Sequence, residues 1–433
     1  MQFYSTRNIE DIVDFSTALF RGLAPDGGLY VPAEKADLSP LFKKMGKETS
    51  FSTIAGEIIS SLLGDTFNRT QSFEIAEKAF PFSPVIRELK NNISILELFH
   101  GKSCAFKDFG ASFLAQSMDT LLKERDRKAV ILTATSGDTG SAVAQAFVGK
   151  ENIEVVILYP SGRVSPLQEK QLTTLGHNIK ALEVKGSFDD CQKMVKEAFV
   201  DREITDHITL SSANSINLGR LIPQSFYYAW AFSRIKDEAS DTIFTVPSGN
   251  FGNLTAGLYA QSWGLPIAGF VAATNSNDVI PKYLVDGFYN PMASVHTISN
   301  AMDVGAPSNF ERMNHLFDGN VEKFRAKIKA YTIDDQTTRE TIKEVYEKEK
   351  YILCPHTAVG YKAAEMYKND FGESPMMVLS TAHPGKFTEV IEQVINVKPE
   401  LPEELKRLEK RDKISVVIEN TTDSLKNYLL TAY

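Results

Sequence analysis

Ala129-Val130-Ile131-Leu132-Thr133-Ala134-Thr135-Ser136-Gly137-Asp138-Thr139-Gly140 is the stretch on which the fold turns. A β-branched apolar run of buried-strand type passes without a linker into a loop of Gly, Ser and Thr. Ser141-Ala142-Val143-Ala144-Gln145-Ala146-Phe147 then continues with helical character. Gly137 and Gly140 permit a tight turn. Thr135, Ser136 and Thr139 bring hydroxyls to a helix N-terminus, where free backbone N–H groups attract anions. The same grammar returns at 242–260. The strand-like Thr242-Ile243-Phe244-Thr245-Val246 leads into Pro247-Ser248-Gly249-Asn250-Phe251-Gly252-Asn253, and Leu254 to Ala260 reads as a helix. Two glycines flanked by Ser and Asn suit a nest of N–H groups around a phosphate. Neither loop has the spacing of the dinucleotide fingerprint or the Walker loop, which argues against a nucleotide.

Outward from these two units the chain keeps one beat. Strand-like runs at 153–159, 179–184, 208–212, 267–273, 351–354 and 376–380 alternate with helix-length segments, among them one opened by Ser165-Pro166, with serine as cap. Strands spaced by helices predict parallel pairing with right-handed crossovers, hence an α/β fold with open, mostly parallel sheets flanked by helices. Ligands then belong at the carboxyl ends of the strands, where both loops and Ser380-Thr381 fall. Helical periodicity dominates the first residues, as in Phe51 to Ile59. Three regions are expected: 1–95, mainly helical; 96–240, α/β; and 241–433, α/β. The Asn/Gly/Pro-rich segment 278–318 reads as an irregular excursion, and Pro399 to Leu405 opens a charged helix.

One lysine stands out. Lys107 follows Ala105-Phe106 and precedes apolar positions Phe109, Phe113, Leu114, Met118, Leu121 and Leu122 at helical spacing. A lysine desolvated there holds its proton less tightly, and only a neutral amine attacks a carbonyl.

These segments together resemble the threonine synthases, pyridoxal-phosphate enzymes of fold type II, the tryptophan synthase β-like superfamily. The resemblance runs from Ser16-Thr17-Ala18-Leu19-Phe20-Arg21-Gly22-Leu23-Ala24-Pro25-Asp26-Gly27-Gly28-Leu29-Tyr30 to Leu379-Ser380-Thr381-Ala382-His383-Pro384-Gly385-Lys386-Phe387. His100 to Asp108 resembles the family's cofactor-lysine motif, which places the covalent attachment on Lys107. The resemblance further implies that Ser248, Gly249, Asn250, Phe251, Gly252 and Asn253 hold the cofactor phosphate. It sets Thr381 opposite the ring nitrogen and Asp138 opposite the phenolic oxygen, with the protonation of Asp138 left open. Thr135, Ser136 and Thr139 resemble the loop that grips the amino-acid carboxylate. Asn214, Ser215 and Arg220 resemble the part that binds the substrate phosphate, with Lys386 either a second phosphate-side cation or a solvated lysine. The implied reaction turns O-phospho-L-homoserine and water into L-threonine and phosphate, a carbon–oxygen lyase step that ends threonine biosynthesis. The alternatives are a related lyase such as a threonine or serine dehydratase, which needs no second anion site, and a non-catalytic relative, which would have lost the lysine.

Composition agrees with such an enzyme. The 433 residues are enough for two or three cores, and 43% apolar with 24% charged residues is ordinary for a globular protein. A net charge of −8 argues against nucleic acid or an anionic membrane as partner. No run approaches a membrane span. Three scattered cysteines (Cys104, Cys191, Cys354) lack metal-ligand spacing and suit a reducing cytoplasm. No metal is expected, and the oligomeric state stays open between monomer and homodimer.

Overall fold

The computed structural model describes every residue except Asp126, Arg127, Ser136, Ser165 and Glu409, and of Arg125 only the backbone. Ser165, expected as a helix cap, therefore lies outside the described residues, although the helix itself is present as Pro166–Thr173.

Among the described residues there are three sheets. The 128–147 unit forms the strand Ala129–Ala134 and the helix Asp138–Phe147. That strand sits inside a five-stranded sheet ordered Val416–Glu419, Ile179–Lys185, Ile153–Pro160, Ala129–Ala134, Leu210–Ser212, parallel throughout. All six of its residues are buried, as expected of a strand covered by helices on both faces. The 242–260 unit forms Ile243–Pro247 and the helix Gly252–Ser262. It centres a six-stranded sheet ordered Ile328–Thr332, Gly269–Thr274, Ile243–Pro247, Met376–Ser380, Ile93–Glu97, Val85–Glu88, parallel except for the last pair. The α/β expectation is met.

The sheets cut across the expected divisions at 95/96 and 240/241. Ile93–Glu97 and Val85–Glu88 complete the sheet of the later region, and Val416–Glu419 completes the sheet of the middle one. The expected strand at 351–354 has no sheet partner. Ile93–Glu97 occupies the slot beside Met376–Ser380, and Cys354 instead caps the helix Pro355–Phe371, its sulfur facing the Thr357 amide. The N-terminal region does carry helices, Phe51–Leu63 and Arg69–Ala79. It also carries a small antiparallel sheet of Asn8–Val13, Phe3–Ser5 and Tyr30–Pro32, whose strands are too short or too exposed to show a two-residue pattern. The 278–318 segment holds two helices, Val279–Asp286 and Phe310–Leu316, around an irregular middle. The helix expected after Pro399 shrinks to Glu403–Lys406, and its Leu405 is buried with Leu408 against Cys104. No helix among the described residues is long and apolar enough to cross a membrane.

Candidate active site

Lys107 opens the helix Lys107–Arg125. Phe109, Phe113, Leu114, Met118, Leu121 and Leu122 are all buried, so the helix is locked into the core. The loop before it is pinned twice to the end of Met376–Ser380: the Phe106 amide donates to the Thr381 carbonyl at 2.8 Å, and Ala105 bridges Ala382. Lys107 thus lies beside Thr381, which follows directly after that strand. Cys104 takes the left-handed conformation at φ 56° to make the entry, a conformation that costs a residue with a side chain. Burial pushes the Lys107 amine down to about 8; Asp138 opposes this, while Arg220 and Lys386 add to it. Among the described residues no carboxylate lies within salt-bridge distance of it.

The loop 248–253 is tied by its own hydrogen bonds. Ser248 Oγ donates to Asn253 Oδ1 at 2.7 Å, and Asn253 Nδ2 donates to the Pro247 carbonyl at 2.9 Å. Phe251, at φ 58°, caps the helix Gly252–Ser262, so successive N–H groups turn toward a common point at a helix N-terminus. Gly249 is required by a close approach: a Cβ there would stand 2.7 Å from Met302 Cα and 3.0 Å from its carbonyl. Backbone cannot step aside as a side chain can. Gly249→Ala is therefore expected to cost about 1–3 kcal/mol of stability and to weaken phosphate-bearing ligands, as read by thermal melting and ligand titration.

The 135–140 loop is also internally tied. Thr135 Oγ1 accepts from the amides of Gly137 and Gly140 at 3.0 and 2.9 Å. Thr135 thereby shapes the helix start, and Thr139 is partly exposed beside it. Ser136 lies outside the described residues. Asp138 is buried and its Oδ1 receives both Lys386 Nζ at 2.6 Å and Gln168 Nε2 at 3.1 Å. Burial favours the neutral acid, but Lys386 and Lys107 outweigh it and hold this carboxyl well below the usual range. Lys386 is not solvated: its side chain is 0% exposed, and it also donates to the Ser103 carbonyl at 2.9 Å.

Arg220 is not a surface residue either. Its guanidinium is buried, Nη1 donates to the Ala213 carbonyl, and Nε has no hydrogen-bond partner. Gly110, one turn into the Lys107 helix, makes room for it. Burial lowers its pKa to about 10, against Asp108, so it stays charged at neutral pH. Asn214 Oδ1 accepts from Thr133 Oγ1 at 2.7 Å, and Ser215 Oγ accepts from Asn250 Nδ2 at 2.5 Å. This last bond ties the 214–220 segment to the 248–253 loop.

Sequence reasoning missed Arg312, which is fully buried in the segment read as irregular. Its three nitrogens donate to the carbonyls of Tyr30, Ser215 and Ile216 and to Asn309 Oδ1, clamping the N-terminal sheet onto the 214–220 segment. Gln168 was missed as well. Neither has a local sequence signal, since Gln168 reaches Asp138, 30 positions away, and three of the four acceptors of Arg312 are backbone carbonyls far away in the chain.

Family models match nearly the whole chain: threonine synthase N terminus over residues 2–80, pyridoxal-phosphate dependent enzyme over 79–382, and threonine synthase C-terminal over 357–429. The threonine synthase of Buchnera aphidicola from the aphid Acyrthosiphon pisum is 42% identical over 434 residues, covering 99% of this chain and 100% of its own. The chain belongs to the threonine synthase family. Its fold agrees with the crystal structure of threonine synthase from Escherichia coli, with a TM-score of 0.92 at 39% identity and full coverage of both chains. A pyridoxal-phosphate-bound threonine synthase from Brucella melitensis gives 0.93 at 35% identity, covering 99% of this chain and 98% of that one. The fold is that of the fold type II pyridoxal-phosphate enzymes.

Proposed function

We infer that this threonine synthase family member converts O-phospho-L-homoserine and water into L-threonine and phosphate with pyridoxal phosphate as cofactor. The observation that carries the reading is a desolvated Lys107, without a salt bridge among the described residues, in a chain that also offers two features suited to anions: the helix start at Gly252 and the buried Arg220, whose charge acts on Lys107 and whose Nε–H has no partner among the described residues. A dehydratase has one phosphate to hold, that of its cofactor; here there is provision for two.

The residues present fit the cofactor. Lys107 offers the amine, Ser248 to Asn253 the phosphate cradle, Thr381 a hydroxyl for the ring nitrogen, and Asp138 a carboxylate for the phenolic oxygen. When bound, pyridoxal phosphate supplies a sink for the electron pair left at the substrate α-carbon. The chain supplies the rest. Lys107, as a neutral amine, takes the α-proton and then a β-proton, so it serves as both base and shuttle. Arg220 holds the phosphate that leaves the γ-carbon and stabilises its developing charge. Asn214 and Ser215 lie in the segment that carries Arg220, and Thr139 with its neighbours in the 135–140 loop faces the amino-acid carboxylate. One proton then goes back to the γ-carbon, which becomes the methyl group; water adds its hydroxyl at the β-carbon while its remaining proton leaves with the phosphate; and Lys107 returns the other proton to the α-carbon. Three unpaired buried cysteines support work in a reducing compartment such as the cytoplasm.

The deciding assay is release of phosphate from O-phosphohomoserine with threonine in equal amount. Phosphate release with 2-oxobutanoate in place of threonine would return the dehydratase reading. A neutral hydroxyl at Thr381 limits how strongly the ring withdraws electrons. Thr381→Asp is expected to protonate the ring nitrogen, change the cofactor absorption spectrum and raise side reactions such as transamination at the expense of threonine. An unchanged product ratio and spectrum would remove Thr381 from that place.

A further inference from the structure

The cofactor roles of Lys107 and Asp138 leave a second, fully buried lysine without a task. We propose that Lys386 is a positioning residue: its ammonium takes Asp138 Oδ1, so that Lys107 stays without a carboxylate partner and Asp138 presents its other oxygen to the cofactor's phenolic oxygen. This rests on the reading of Lys107 and Asp138 given above.

Geometry carries the argument. Two donors converge on Oδ1, Lys386 Nζ at 2.6 Å and Gln168 Nε2 at 3.1 Å, and Lys386 is itself anchored by the Ser103 carbonyl at 2.9 Å. Lys386 lies in the short turn Pro384–Phe387, directly behind Thr381, and its amide donates to the His383 carbonyl at 3.1 Å. The pair therefore links the cofactor's expected ring-nitrogen side to its phenolic side. The other groups around it are Lys107 and Asp108 at the start of the 107–125 helix, Cys104 before them, His356 at the start of the 355–371 helix, His383, and Arg220. Burial drives His356 and His383 down to about 4 and the Cys104 thiol up to about 12, so at neutral pH these three are uncharged. Burial likewise raises Asp108 to about 6, and its carboxylate accepts from the Ser103 amide at 2.9 Å. Lys386 is thus the cation that compensates Asp138 at bonding distance.

A buried carboxylate deprived of its cation seeks another. With Lys386 gone, the nearest is the nitrogen of Lys107, and an opposite charge at that range shifts a titration by about 1–3 units. In the holoenzyme the protonation of that nitrogen is visible as the pH-dependent change in cofactor absorption. Lys386→Met is expected to raise the midpoint of this change by about one unit or more, and Lys386→Arg to keep it near the wild-type value. Should Lys386→Met alone fail to fold, Asp138→Asn is compared with Asp138→Asn/Lys386→Met, where no carboxylate is stranded. Loss of a nearby cation is again expected to raise the midpoint. A merely structural ion pair predicts a lower melting temperature with an unmoved midpoint, and that result would overturn the proposal. Borohydride trapping of the wild-type holoenzyme separates the two levels. A cofactor adduct on Lys107 with an unmoved midpoint in the variants refutes the Lys386 role alone, whereas no adduct on Lys107 refutes the underlying reading with it.

Discussion

Lys107→Ala is expected to abolish threonine formation, with kcat falling by at least about a thousandfold, because the proposed roles of cofactor anchor, base and proton shuttle all fall on one amine. The protein should still fold, since among the described residues the side chain has no hydrogen-bonded partner to strand, and the apolar face of its helix is untouched. The amine's depressed pKa adds a second expected result. With a pKa of about 8, roughly a tenth of Lys107 is neutral at pH 7, against about one part in three thousand for an ordinary lysine. Capture of pyridoxal phosphate by the cofactor-free protein should therefore speed up with pH and level off just above 8. A rate still climbing steeply at pH 10 would show that the cleft does not desolvate the amine.

Arg220→Lys is expected to lower kcat/KM for O-phosphohomoserine tenfold to a hundredfold, about 1.5–3 kcal/mol, while cofactor binding changes little. A lysine keeps the charge, but it lacks the planar fork in which Nη1 holds the Ala213 carbonyl while a different nitrogen remains for a phosphate. An arginine serving only to hold the Ala213 carbonyl would show itself as lost thermal stability with unchanged kinetics on the folded fraction. Steady-state kinetics beside a cofactor titration of the same variant tells these apart.

What the sequence disclosed and what it withheld follow from the range of the interactions. Both strand–loop–helix units, 128–147 and 242–260, are local: a buried run, two glycines and a helix start lie within twenty residues, so periodicity and turn chemistry display them. The Gly, Ser and Asn of 248–253, on which the proposed phosphate cradle rests, are local for the same reason. The partners of Asp138 are not. Lys386 lies 248 positions further along the chain and looked as apt for solvent as for a site; only the folded arrangement shows it buried at 2.6 Å from the carboxylate. Arg312 is a similar case, its donors spent on carbonyls that carry no side-chain signature. The strand expected at 351–354 failed for a related reason. Its composition is apt, but the place beside Met376–Ser380 is taken by residues some 260 positions earlier, and a sequence window cannot show competition for an edge.

That exchange of strands has a consequence for how the protein is made. The middle sheet is closed at one side by Val416–Glu419, and the later sheet waits for its central Met376–Ser380 to join Ile93–Glu97 to Ile243–Pro247. During synthesis from the N-terminus, the later sheet cannot be finished until residue 380 has emerged, nor the middle one until residue 419. Until then Ile179–Lys185 and Ile93–Glu97 present open backbone to any passing strand. Chains truncated before residue 416 are therefore expected to aggregate rather than persist as folded fragments, a difference that sedimentation of nested truncations would reveal.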